Sequence, residues 1–279
     1  MSYYVCYFTH NLRPDLRMRA PNIVILEGAS EESSEIHIRP KRVIDLTNVG
    51  RWPVHILSAS YIVNILKDNI SACSGSILSA RFVLTVCQCV YPLPLERYSI
   101  LSGSEMSTEG TNHAMKKLIY VEPNPKLVLV EVSPQIDIHG GPNKPIHFFS
   151  GVVPDLAYGT FSGWGCVLPE KLEYESLFPS QLMQTRLPII SLEECIRIYE
   201  GRVTITDKQI CTLDTSKRRG TCNGDLGGPL VIRFPSLQAP LLLGIMYQTG
   251  RKFGTDPDIF INLNHDELNE WIIDEIRNN

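Results

Sequence analysis

No stretch of the 279 residues approaches the eighteen or so consecutive apolar residues of a membrane-spanning helix, so no transmembrane span is expected. Net charge is also small. The chain carries 26 Lys and Arg against 30 Asp and Glu, and the resulting −4 gives no electrostatic case for nucleic acid or an anionic lipid surface. Neither a C-x-x-C nor an H-x-x-x-H cluster occurs, which argues against a zinc site, and nothing calls for a cofactor. No internal repeat is visible. Met1 to His10 holds a Tyr/Val/Cys/Phe cluster but lacks a basic start and a sufficient apolar run, which makes it a poor secretory signal. An upstream segment carrying the signal is the favoured expectation, with unconventional export or none as the alternative.

What is present is ordinary globular material with 43% apolar and 20% charged residues. Eight cysteines favour an oxidising compartment, because a chain kept in reducing surroundings seldom carries so many. Residues 1–42 are polar, with prolines at 13, 21 and 40 and the run Ala29-Ser30-Glu31-Glu32-Ser33-Ser34-Glu35, and are expected to be a flexible pro-segment ending at Lys41-Arg42. Residues 43–279 are expected to form one main domain. From Val54 onward, short Val/Ile/Leu/Tyr/Phe runs alternate with Gly, Pro, Ser and Asn, the pattern of an antiparallel all-β fold. Expected strands include Val54 to Leu57, Tyr61 to Leu66, Arg81 to Thr85, Leu127 to Val132, Pro229 to Ile232 and Leu241 to Met246. Glu267 to Ile276 spaces its apolar residues at helical intervals and is expected to close the chain as an amphipathic helix.

Five blocks carry the functional signal. They are Ser79 to Val90, Ser162-Gly163-Trp164-Gly165, Pro179 to Cys195, Thr221-Cys222-Asn223-Gly224-Asp225-Leu226-Gly227-Gly228-Pro229-Leu230, and Pro257 to Leu263. In this order they resemble, respectively, S-x-R-W-V-L-T-A-A-H-C-V, A/S-G-W-G, P-x-x-L-Q-x-x-x-L-P-I-I-S-x-x-x-C, C-x-G-D-S-G-G-P-L and P-G-V-Y-T-R-V of the chymotrypsin-like serine proteases. The resemblance covers about residues 43 to 279 and implies two six-stranded antiparallel β-barrels with a C-terminal α-helix. It also implies disulfides Cys73–Cys89 and Cys195–Cys211. Cys6, Cys87, Cys166 and Cys222 are left over, and their three complete pairings stay open.

The same alignment puts Leu226 where the family has its nucleophilic serine, Gln88 where it has histidine, and Lys126 where it has aspartate. Leucine has no lone pair to attack a carbonyl, and an amide has no pKa near neutrality with which to take a proton. Glu122 and Glu131, the nearest carboxylates, lie too far along the strand to substitute. Lys126 is expected to reach solvent or a nearby carboxylate. Gly224 and Leu226 retain the places of the oxyanion-hole amides. Gly220, Tyr247 and Thr249 stand at the specificity pocket, where trypsin-like members have an aspartate (Gly220 here) and an S-W-G edge. Preference for Lys or Arg substrates is therefore unsupported.

Relatives are activated by a cut ahead of I-V-G-G, whose freed amine pairs with the buried aspartate beside the nucleophile. Here the cut would fall after Arg42 and offer Val43 to Asp225, although Asp45 and Leu46 replace the two glycines. The expected function is that of a non-catalytic homologue acting by protein binding, a secreted regulator or cofactor in a proteolytic cascade that engages a protease, zymogen or inhibitor. The alternatives are a hydrolase with unusual chemistry, for which Cys87 is the candidate nucleophile, and a structural relic without a partner.

Overall fold

The computed structural model describes residues 50–279 except 93, 155, 168–177 and 253, so the expectations placed on residues 1–42, Cys6, Arg42 and Val43 lie outside the described residues. In chain order the strands are β1 (Trp52–Pro53), β2 (Ile62–Lys67), β3 (Ile70–Ile77), β4 (Phe82–Val86), β5 (Tyr98–Ser102), β6 (Thr111–Tyr120), β7 (Leu127–Ser133) and β8 (His147–Phe148), followed by β9 (Tyr158–Gly163), β10 (Met183–Ile190), β11 (Gln209–Thr212), β12 (Pro229–Ile232), β13 (Leu241–Gln248) and β14 (Asp258–Asn262). Two helices, α1 (Leu192–Tyr199) and α2 (Asp266–Asn278), complete the described elements.

β2-β3-β4-β7-β6-β5 close into one antiparallel barrel. A second ring runs β9-β10-β11-β14-β13-β12 and returns to β9, with β1 and β8 attached outside it. This is the expected pair of six-stranded barrels. Every residue of β4 is buried, because one face lines the first barrel and the other meets the second, whereas β6 alternates along its solvent-facing half. The main apolar core crosses the junction and joins Ile65, Leu84 and Leu129 of the first barrel to Val231, Leu242 and Ile261 of the second.

α2 forms where the apolar spacing predicts it and seats Leu268 and Ile272 on this shared core. α1 starts at Ser191, whose hydroxyl accepts the Glu194 N–H at 3.1 Å and so supplies one of the helix's unpaired first-turn amides with a partner. Its Cys195 is tied to Cys211 on β11.

Val54 to Leu57 is not a strand. The chain leaves β1 after Pro53 and turns into a 3₁₀ helix, Ile56–Ala59. His55 explains the difference. Its Nδ1 accepts the Leu57 N–H at 3.3 Å and its carbonyl accepts the Ser58 N–H at 2.9 Å, local partners that replace a sheet neighbour.

Candidate functional site

Gln88 lies on a 3₁₀ turn, Cys87–Val90, that follows β4. Lys126 immediately precedes β7, and Leu226 sits in the loop before β12. Backbone contacts gather all three at the barrel junction. The Cys87 N–H donates to the Lys126 carbonyl at 2.8 Å, which puts the residue before Gln88 on Lys126. The Ser74 N–H donates to the Leu226 carbonyl at 2.8 Å. A Cβ at Gly227 would lie 3.3 Å from the Cys89 sulfur, so Leu226's neighbour abuts Gln88's neighbour. The Cys73–Cys89 disulfide fastens this turn to β3.

The chemistry of the three side chains differs from that of a proton relay. Leu226 and Tyr247 both pack on the shared apolar core. Lys126 is exposed, and its ammonium also lies 4.5 Å from the centroid of the Tyr247 ring, an aromatic contact where a carboxylate was the expected alternative to solvent. Burial lowers the Lys126 pKa and raises that of Tyr247. Gln88 Oε1 is buried without a hydrogen-bond partner. Glu131 is committed elsewhere, to Arg81 at 2.5 Å. Cys87 is disulfide-bonded, which removes the thiolate an alternative hydrolase would need.

The loop that would form an oxyanion hole keeps its turn. Gly224 has φ +92°, a value that favours glycine, and the Asp225 N–H closes on the Cys222 carbonyl at 3.1 Å. Phe178 stands over it, since a Cβ at Gly224 would meet the ring at 3.2 Å. Cys222 pairs with Cys166, one of the possibilities the sequence leaves open, and this joins the loop to the turn after β9.

The residues expected to line the specificity pocket meet a carboxylate that the sequence reading does not single out. Asp258, which stands at the glycine of the P-G-V-Y-like block, accepts the Thr221 N–H at 2.7 Å and the Gly250 N–H at 2.9 Å. It bonds to Gly220's successor and Thr249's successor, at the heart of that region. Burial raises its pKa to about 6 against the opposing pull of those amides and of Arg51. Arg218 is exposed, and Arg219 reaches the Arg186 carbonyl at 3.5 Å.

Arg51 is a second unanticipated participant. Its Nη2 donates to Asp225 Oδ2 at 2.5 Å and to the Gly220 carbonyl at 2.7 Å, and the pair is buried at 4% and 0% exposure. Asp225, the acceptor expected for Val43, carries this internal cation among the described residues. The Cys222 and Gly165 amides add bonds of 2.7 and 3.0 Å to the same carboxylate.

Ser102 and His113 form a further serine–histidine contact, Oγ to Nε2 at 2.9 Å, with His113 Nδ1 placed 2.7 Å from the Pro134 carbonyl. Asn143 Nδ2 also donates to the hydroxyl at 3.4 Å. At 2% and 0% exposure the pair braces β5, β6 and the following loops, and no substrate carbonyl can reach it.

The fold and these motifs define a chymotrypsin-like protein. The trypsin family profile matches residues 49–272, and the chain belongs to that family. It is 26% identical over 251 residues to a vitellin-degrading protease of Bombyx mori, covering 85% of this chain and 89% of that one. Human kallikrein-7 is 27% identical over 218 residues, covering 75% and 77%. Among solved structures, the scabies mite inactivated protease paralogue S-D1 superposes with a TM-score of 0.70 at 24% identity, covering 82% of this chain and 97% of that one.

Proposed function

We propose that this protein is a catalytically inactive serine protease homologue that acts by binding another protein, as a secreted regulator or cofactor in a proteolytic cascade. The observation that carries the reading is Leu226. Its aliphatic side chain packs on the core, and at the place where the resemblance puts the nucleophile it offers acyl transfer no attacking atom. Gln88 and Lys126 compound the loss, because an amide cannot serve as general base and an ammonium cannot orient or stabilise an imidazolium. Its relatives include proteins named as proteases and one named as inactivated, so shared fold leaves catalysis undecided and the residues must decide it.

A partner of protease, zymogen or inhibitor type fits a chain that keeps the family's barrels and disulfides while its cleft is altered by Tyr247, Phe178 and Asp258. Three described disulfides accord with an extracellular setting. Among the described residues no helix is long and apolar enough to cross a membrane. The unusual-chemistry alternative loses ground, because Cys87 is disulfide-bonded and Ser102–His113 is sealed from solvent.

The test is turnover of a panel of peptide esters and amides by the natural chain, beside a Leu226→Ser, Gln88→His, Lys126→Asp variant. Biosensor titration against trypsin-like proteases, their zymogens and their protein inhibitors accompanies it. The expected result is no turnover by the natural chain and saturable binding to one of these classes. Turnover that survives purification would sink the inactive reading, and absence of binding throughout would leave the relic in its place.

A further inference from the structure

We infer that Arg51 is a built-in counter-ion that does for Asp225 what a cleavage-generated amine does in active relatives, so that the pocket loop is set in the uncut chain and cutting after Arg42 does not switch it. The inference is independent of whether a protein partner exists.

Acceptor arithmetic comes first. A carboxylate offers about four lone-pair sites. Asp225 Oδ2 accepts from Arg51 Nη2 at 2.5 Å and from the Cys222 N–H at 2.7 Å, while Oδ1 accepts from the Gly165 N–H at 3.0 Å and from Arg51 Nη1 at 3.5 Å. All four sites are taken, and no good acceptor remains for an incoming ammonium. Space is equally short. A Cβ added at Gly163 would lie 2.4 Å from Asp225 Oδ1, and one at Gly165 would lie 2.3 Å from its Cγ. The carboxylate is wholly enclosed, at 0% exposure.

Arg51 is itself held from several sides, which distinguishes it from a flexible chain end. The preceding residue, Gly50, has φ +69°, and its carbonyl accepts the Thr185 hydroxyl at 2.7 Å. A Cβ at Gly50 would strike the Arg218 carbonyl at 2.3 Å, so glycine is required for that close approach. On the other side, β1 pairs with β10 through Trp52 and Gln184. The guanidinium's remaining bonds, from Nε at 3.2 Å and Nη2 at 2.7 Å, go to the Gly220 carbonyl, and its carbon lies 6.0 Å from the Phe161 ring centroid.

The geometry therefore assigns Arg51 a positioning role. One side chain links the entry segment to Gly220 and Asp225, and Asp225 passes the constraint to Gly165 and Cys222. These are the segments that shape the oxyanion-loop remnant and the pocket floor. A buried ion pair of this kind tolerates loss of both charges better than loss of one, because an unpaired buried charge carries the large penalty.

The experiment is amide hydrogen exchange on the full chain, read at residues 219–228 and 163–166, with the amides of β2 as an internal folding control. Uncut chain, chain cut after Arg42, and the uncut variants Arg51→Met and Arg42→Gln are compared. Protection of the two segments is expected to be the same in uncut, cut and Arg42→Gln chains, and to fall by at least about tenfold in Arg51→Met while β2 stays protected. Protection that is low in the uncut chain and rises on cutting overturns the inference, as does Arg51→Met protected like the natural chain. Should Arg51→Met fail to fold, the Arg51→Met, Asp225→Asn double variant replaces it. Loss of protection in the two segments of a folded double variant supports the role, and retention overturns it.

Discussion

At the residue scale, the main contrast is between two buried aspartates, Asp225 in the loop before β12 and Asp258 at the start of β14. Asp225 has a guanidinium in bonding contact, whereas Asp258 accepts the Thr221 and Gly250 amides, and burial dominates the latter's titration. Its folded pKa of about 6 lies above the ordinary aspartate value of 3.8, so the protonated form is the one that folding favours. Asp258 therefore contributes stability that is fully present below about pH 4 and is lost as pH rises through about 6. Asp258→Asn is expected to flatten the stability profile between those limits, removing a slope worth about 2–3 kcal/mol, as read by urea unfolding from pH 3.5 to 7. Lys126 is a weaker case. Its contact with Tyr247 is partly solvent-exposed, and Lys126→Met is expected to change stability by less than about 1 kcal/mol in thermal unfolding and to restore no turnover.

At the element scale, the pocket loops are short of regular structure and depend on cross-links. The Cys166–Cys222 disulfide closes a separation of 56 residues between the turn after β9 and the loop before β12. Replacing both cysteines by alanine is expected to cost about 3–4 kcal/mol, measured by denaturant titration, with most of the loss arising from a freer unfolded chain. Much at this scale is legible beforehand. β7, β12 and β13 fall where apolar runs between turn residues place them, and α2 follows the spacing of Leu268, Trp271, Ile272 and Ile276. Val54 to Leu57 reads equally as a strand because an apolar run does not reveal that His55 will take the Leu57 N–H for itself. α1 could have been anticipated from Ser191 and the acidic residues Glu193 and Glu194 after it, a helix-start signal that the motif reading passes over.

At the scale of the whole molecule, the two barrels share one core. Ile65, Leu84 and Leu129 belong to the same apolar cluster as Val231, Leu242 and Ile261, and α2 packs on it. Neither barrel can lose its structure without exposing the other's buried face. A single unfolding transition is expected, coincident by near-ultraviolet and far-ultraviolet circular dichroism, and separate midpoints would show that the barrels behave as independent units.

The sequence by itself determined the strand-rich fold and its family, and it supplied the resemblance on which the proposed roles of Gln88, Lys126 and Leu226 rest, because these are written in residue identity and local order. The Cys73–Cys89 and Cys195–Cys211 pairs followed from the resemblance and agree with the structure. What only the tertiary structure decided is how distant groups are satisfied. Arg51 and Asp225 are 174 residues apart, Asp258 meets Thr221 across 37, and Cys166 finds Cys222 among several possible partners. Burial drives most charges and amides in the closed barrels to find a partner, but which partner each finds depends on where the chain's closure brings them together, and periodicity along the sequence does not encode that position.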